Sequence, residues 1–123
     1  MAAIECGIIS LTNVVRGDML DVSIGVEHDL DLTGKTLYAE VRRNDDAPVL
    51  LKFMELDSSL VKTVSSAQLM TIKFYKPASA MNIPDGNYQI AVVMGTSPGY
   101  EDKQTIIRGT VSVISEITHK PTA

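Results

Sequence analysis

The chain has 123 residues, 45% apolar and 21% charged, the proportions of one globular domain whose core removes about two-thirds of the unfolded surface from water. One cysteine, Cys6, excludes an internal disulfide framework and a cysteine-built zinc site, and a net charge of −4 argues against nucleic acid as an electrostatic partner. No apolar run approaches the ~20 residues that cross a bilayer, and Met1 to Gly7 lacks the basic and apolar regions of a signal peptide, so a cytosolic origin is expected.

Hydrophobicity repeats at every second residue, the period of a strand with one buried face. Ile4 to Ile9 is a short first candidate. The turn Arg16-Gly17-Asp18 leads into Leu20, Val22, Ile24 and Val26, which alternate with Asp21, Ser23 and Gly25. Leu32-Thr33-Gly34-Lys35 precedes a strand in which Leu37, Ala39 and Val41 alternate with Tyr38, Glu40 and Arg42. After the loop Asn44-Asp45-Asp46-Ala47-Pro48, the set Val49, Leu51 and Phe53 is expected to face inward and Lys52 outward. Val61 to Val64 is a second short candidate. Met70, Ile72 and Phe74 alternate with Thr71, Lys73 and Tyr75, which outweighs a helix over residues 65–70.

Pro77 opens the one helical candidate, a short turn near residues 78–83, because proline suits the first helical position. In Pro84-Asp85-Gly86-Asn87, proline presets the turn and Gly86 accepts a positive φ. Tyr88, Ile90, Val92 and Met94 form a strand made apolar on both faces by Ala91 and Val93. A long hairpin loop runs from Gly95 to Asp102. Last, Ile107, Val111 and Val113 alternate with Arg108, Thr110 and Ser112, with Gly109 at an expected bulge or bend. About eight strands with turns between them predict a single all-β domain over 1–123, a sandwich or a barrel. Residues 119–123 read as a polar tail, and Tyr88, Ile90, Val92 and Ile72 are expected in the core.

The residues with chemical potential are few. Glu27-His28-Asp29-Leu30-Asp31 combines hard oxygens with an imidazole, but lacks the remaining ligands and the central glycine of a calcium loop. A solvated acidic connection is expected there, with no metal. Only His28 and His119 are available as imidazole bases, and Cys6 lies on an apolar segment as an expected inert thiol. No Gly-x-Ser-x-Gly elbow, P-loop or Gly-x-Gly-x-x-Gly is present, so no catalytic residue and no cofactor is assigned. Arg16-Gly17-Asp18 is read as a glycine turn and not as an adhesion tripeptide. Arg42, Arg43 and Lys52 suggest a small basic face. Tyr100 is the best exposed aromatic, against the alternative that it folds back on the sandwich; the lack of tryptophan counts against a stacking platform for sugars or bases.

Taken together, Asp31-Leu32-Thr33-Gly34, the strand ending Val41-Arg42-Arg43, Ile83-Pro84-Asp85-Gly86-Asn87-Tyr88-Gln89-Ile90 and Ile107-Arg108-Gly109-Thr110-Val111-Ser112-Val113 form a recognisable pattern. It resembles the small immunoglobulin-like β-sandwich domains of tailed-bacteriophage structural proteins, among them N-terminal modules of baseplate and receptor-binding proteins and small head or tail accessory proteins. The resemblance covers Asp29 to His119. It implies an immunoglobulin-like antiparallel sandwich of about seven to eight strands, in which Gly34 and Gly86 make tight turns and the ring of Tyr88 is buried with its hydroxyl on a partner.

The function implied is that of a non-enzymatic virion component, made in the host bacterial cytoplasm, that docks on other virion proteins as an adaptor, connector or decoration. Family members often carry long extensions after this domain, and the end at Ala123 favours that role over a receptor-binding tip. The alternative is a carbohydrate- or receptor-binding module that uses its loops. Leu50, Met54, Leu56, Leu60 and Met81 are divided between core and interface. Residues 1–10 are expected to complete a sheet edge or to pack on a neighbouring subunit of a homo-oligomer or symmetric ring, against the alternative that Ala2 to Ser10 is the first strand of the monomer's own sandwich, with no nucleic acid and no membrane among the partners.

Overall fold

Apolar alternation is realised as eight strands in a computed structural model that describes residues 7–28, 30–44, 46–66, 68–97 and 99–115. In chain order they are β1 (Gly7–Val15), β2 (Leu20–Glu27), β3 (Thr36–Arg42), β4 (Leu51–Met54), β5 (Leu60–Ser66), β6 (Leu69–Lys76), β7 (Gly86–Gly95) and β8 (Gln104–Ile114). They form a five-stranded sheet of order β1-β8-β7-β3-β4 and a three-stranded sheet of order β2-β6-β5. All pairings are antiparallel except β1 with β8, which is parallel. The result is an all-β, immunoglobulin-like sandwich, with β2, β6 and β5 in one layer packed on the five-stranded layer. Among the described residues no helix is long and apolar enough to cross a membrane.

The core lies between the two inner faces. Leu37, Ala39 and Val41 of β3 and Tyr88, Ile90 and Val92 of β7 meet Met70, Ile72 and Phe74 of β6, all nearly or fully removed from solvent. Phe53 and Phe74 join the layers edge to face, with ring centroids 5.3 Å apart. Tyr88 anchors the connection into β7: its ring is buried and its hydroxyl donates to the carbonyl of Pro84. That is the tyrosine corner of immunoglobulin folds, in which a cysteine normally stands two residues later. Here that place is held by the buried Ile90, so apolar packing substitutes for the inter-sheet disulfide. Gly34 and Gly86 take positive φ values of 70° and 145°, as their turn positions require.

Several local expectations need correction. Val49 is not inward: β4 begins at Leu51, and the N–H of Leu50 is tied to the carbonyl of Val41 at 2.8 Å, leaving Val49 in the exposed approach after Pro48. The expected helical turn is present as the 3-10 turn Ala78–Ala80, after which the buried Met81 and Ile83 follow, but it is not alone: a second 3-10 turn, of which the alternation gives no sign, spans Glu55–Asp57 between β4 and β5. The bulge is not at Gly109. Val92 pairs with Ile107 and Val93 with Thr105, so Ile106 is the extra residue, and Ile106 and Ile107 are both buried.

Gly109 is required for a different reason. A Cβ there would lie 1.9 Å from the carbonyl oxygen of Ile9, so only glycine lets β1 approach β8 this closely. Gly7 to Ser10 belong to β1, an edge strand of the chain's own five-stranded sheet; residues 1–6, Cys6 included, lie outside the described residues, as do His119 and the expected polar tail. Of the five residues divided between core and interface, Leu60 and Met81 are buried, Met54 is half-buried, and Leu50 and Leu56 are exposed.

Candidate functional site

The acidic segment after β2 does not assemble a site. Glu27 ends β2 opposite Leu69, Nδ1 of His28 accepts the Leu30 N–H at 3.1 Å, and Asp31 accepts the Thr33 N–H at 3.0 Å. The Thr33 backbone and then its hydroxyl hold the Asp31 carboxyl below the usual carboxylate range. Asp29 lies outside the described residues. Among the described residues, no group of three or more His, Cys, Asp and Glu side chains comes together. Arg16-Gly17-Asp18 is a turn built into the fold: Gly17 donates to the Met81 carbonyl at 3.0 Å, and Arg16 Nε to Asn82 Oδ1 at 3.1 Å.

The long β7–β8 loop is likewise occupied with itself. Tyr100 folds back, its ring edge to face with Tyr38 at 4.8 Å and its hydroxyl 2.7 Å from Thr36 Oγ1. Asp102 accepts from the Thr96 backbone at 2.8 Å and hydroxyl at 2.7 Å and pairs with Lys35. Lys35, followed by Thr96, keeps the Asp102 carboxyl far below its ordinary value. Gly95 leaves room for this arrangement, since a Cβ there would meet the Tyr100 ring at 2.7 Å.

The outer face of the five-stranded sheet is different in kind. Strand registers set its side chains in rows. One row runs Ile8, Arg108, Ala91, Glu40, Lys52 from β1 to β4; beside it lie Thr105, Val93, Tyr38 and Met54 on one side and Ser10, Thr110, Gln89 and Arg42 on the other. Ala91 at the centre is far smaller than its neighbours. A hollow of about 780 Å³ results, lined by Ala91 and Val93, by Tyr38, Glu40 and Arg42, and by Lys103 and Arg108 towards β1. At its lip Ile8 is 87% exposed.

The charges on this face are unequal. Glu40 pairs with Arg42 at 2.6 Å, and Arg42 also donates to the Ala47 carbonyl at 3.0 Å. Lys52 sits over the Tyr38 ring, 5.8 Å from its centroid. Burial, then the neighbouring Glu40, raises the Tyr38 phenol above its ordinary value. The outer face of the three-stranded sheet carries Asp21 and Lys73, paired at 3.6 Å, together with the exposed Val61, Leu69 and Tyr75.

Of the basic residues singled out in the sequence, Arg42 and Lys52 share this face, whereas Arg43 lies against the Tyr88 ring at 5.2 Å. Ile8, Ala91, Lys103 and Arg108 carry no functional signature in the sequence. The available signal was that β7 is apolar on both faces, which makes Ala91 and Val93 outward apolar residues in the middle of a sheet.

No family model matches the chain, and no curated protein matches it. Among solved structures it is similar to immunoglobulin domains. They include Dpr1 IG1 bound to DIP-eta IG1, at 14% identity over 88% of this chain and 90% of that one, with a TM-score of 0.36. Another is DIP-gamma IG1+IG2, at 15% identity over 89% of this chain and 47% of that one, also 0.36. A third is the ZIG-8–RIG-5 IG1–IG1 heterodimer, at 14% identity over 89% and 83%, at 0.30. Similarity at this level transfers no function, and nothing in it ties the chain to bacteriophage particles.

Proposed function

We propose that the protein is a non-enzymatic docking domain that binds another protein on the outer face of its five-stranded sheet. In this reading it serves as an adaptor, connector or decoration protein of a bacteriophage particle. The docking part is carried by one observation, the hollow floored by Ala91 and Val93 with Ile8 fully presented at its lip. An exposed apolar patch rimmed by polar residues is the usual mark of a protein interface. The virion part is supported by the sequence resemblance. A loop-borne sugar site would lean on Tyr100, and that ring is already committed to Tyr38 and Thr36.

Two measurements test the proposal. Protein mass spectrometry of purified particles from the source tests the placement, and absence of the chain from particles refutes it. Ala91→Arg tests the face, since it fills the hollow from an outward position and leaves the core untouched. The variant is expected to melt like the parent and to be lost from particles; full incorporation refutes docking through this face.

A further inference from the structure

We infer that the occupant of this face is an acidic partner protein, one that presents an apolar side chain between carboxylates, and not a second copy of this chain. The inference rests on the docking reading above and specifies its partner. Lys35, Arg42, Lys62 and Lys73 each have a carboxylate within 4 Å: Asp102, Glu40, Glu55 and Asp21. Among the described residues six cations have none, Arg16, Arg43, Lys52, Lys76, Lys103 and Arg108, and the last two line the hollow. With Glu40 and Arg42 cancelling each other, the hollow keeps two uncompensated cations in a chain whose net charge is −4.

Complementary potentials steer partners together and like charges set against each other are costly. A two-fold contact repeats the same patch on both subunits, so a second copy bound through this face adds a second Lys103 and Arg108 to the contact and brings from its hollow no carboxylate but Glu40, which Arg42 already holds. A polyanion such as nucleic acid meets the opposing charge of the whole chain. A protein patch with local carboxylates satisfies both cations, and an apolar side chain at its centre fills the space over Ala91 and Val93 beside Ile8.

The probe is a yeast-displayed library of random short peptides, selected on the immobilised full chain. Enriched peptides are expected to carry Asp or Glu flanking Leu, Ile, Met or Phe, and to lose binding to Ala91→Arg. Against a Lys103→Gln, Arg108→Gln double variant the affinity should fall about 2- to 30-fold, as two exposed pairs are worth, and its dependence on ionic strength should flatten. Peptides that need Ala91 but show neither carboxylate enrichment nor salt dependence overturn the acidic partner and leave the docking reading standing. Peptides indifferent to Ala91→Arg, or no enrichment at all, overturn the docking reading itself. Self-association of the parent in sedimentation equilibrium that Ala91→Arg abolishes overturns the choice of a foreign partner.

Discussion

Replacing Gly109 by alanine tests how β1 is held. The added Cβ would lie 1.9 Å from the Ile9 carbonyl oxygen and 2.8 Å from its carbonyl carbon. Both are backbone atoms, so no side-chain rotation relieves the clash. Ordinary contact begins near 3.4 Å, so β1 must retreat by more than 1 Å, which carries ladder hydrogen bonds of about 2.9 Å out of range. The segment at risk is Gly7 to Leu11, which pairs in parallel with Ile107 to Val111 and ends at a register shift that isolates it from Val14 and Val15. It packs half-buried Ile9 and Leu11 against the core. Re-exposing these two side chains and losing part of the ladder costs about 2–4 kcal/mol, or roughly 8–16 °C in melting temperature for a chain of this length. Urea unfolding gives the magnitude, and amide exchange gives the place: the Ile9 and Leu11 amides should lose protection while Ile90 and Val92 keep theirs. A variant within about 0.5 kcal/mol of the parent, with Ile9 and Leu11 still protected, refutes this account of the strand.

Other expectations concern the core and the loops. Ile90→Ala should destabilise by about 2–5 kcal/mol in denaturant titration, from lost transfer energy and the cavity left between the sheets; a loss below about half a unit places Ile90 outside the core. Tyr88→Phe removes the bond to the Pro84 carbonyl and should cost about 1–2 kcal/mol by the same assay, whereas a neutral change means that the corner is held by the ring alone. Asp102 has a folded-state pKa below its unfolded value of 3.8, so its contribution is present above that pH and is lost as acid drives the folded carboxyl to protonate. The stability gap between the parent and Asp102→Asn should therefore be full at neutral pH and close in strong acid; an equal gap in both conditions removes the Lys35–Asp102 pair from the account.

Much of the fold was legible because alternation fixes which face of a strand is buried, and a sandwich has only two inner faces to fill. β2, β3, β6 and β7 each appear with the inward set read from the sequence, Leu37, Ala39 and Val41 among them. Periodicity says nothing about neighbours, however. That Gly7 to Leu11 of β1 lies parallel to β8 depends on a close backbone approach at Gly109, which the apolar pattern marks only as a bulge or bend. The candidate site was less legible still. Its rows unite Ile8, Arg108, Ala91 and Glu40 across more than a hundred residues of chain, and only the strand order makes them adjacent. Tyr100 shows the converse: a loop position leaves an aromatic open between exposure and folding back, and Tyr38 and Thr36 of β3 decide for folding back.

The bulge at Ile106 links the core to this face. Thr105 points outward opposite Val93, so strict alternation along β8 would turn Ile106 inward, Ile107 outward and Arg108 into the core. An unpaired guanidinium there is forbidding, because a buried charge without a partner costs far more than a sandwich of this size has to spare. The extra residue resets the phase: Ile106 and Ile107 are both buried, at 4% and 2% exposure, and Arg108, Thr110 and Ser112 face out while Val111 and Val113 face in. A one-residue change of register exchanges every side chain between the two faces of a strand. The apolar doublet therefore does two things at once: it closes the end of the core beneath the β7–β8 loop, and it delivers Arg108 to the hollow beside Ala91. The positive character of the docking face thus follows from the packing of the core, and any substitution that lets β8 revert to simple alternation would disturb both together.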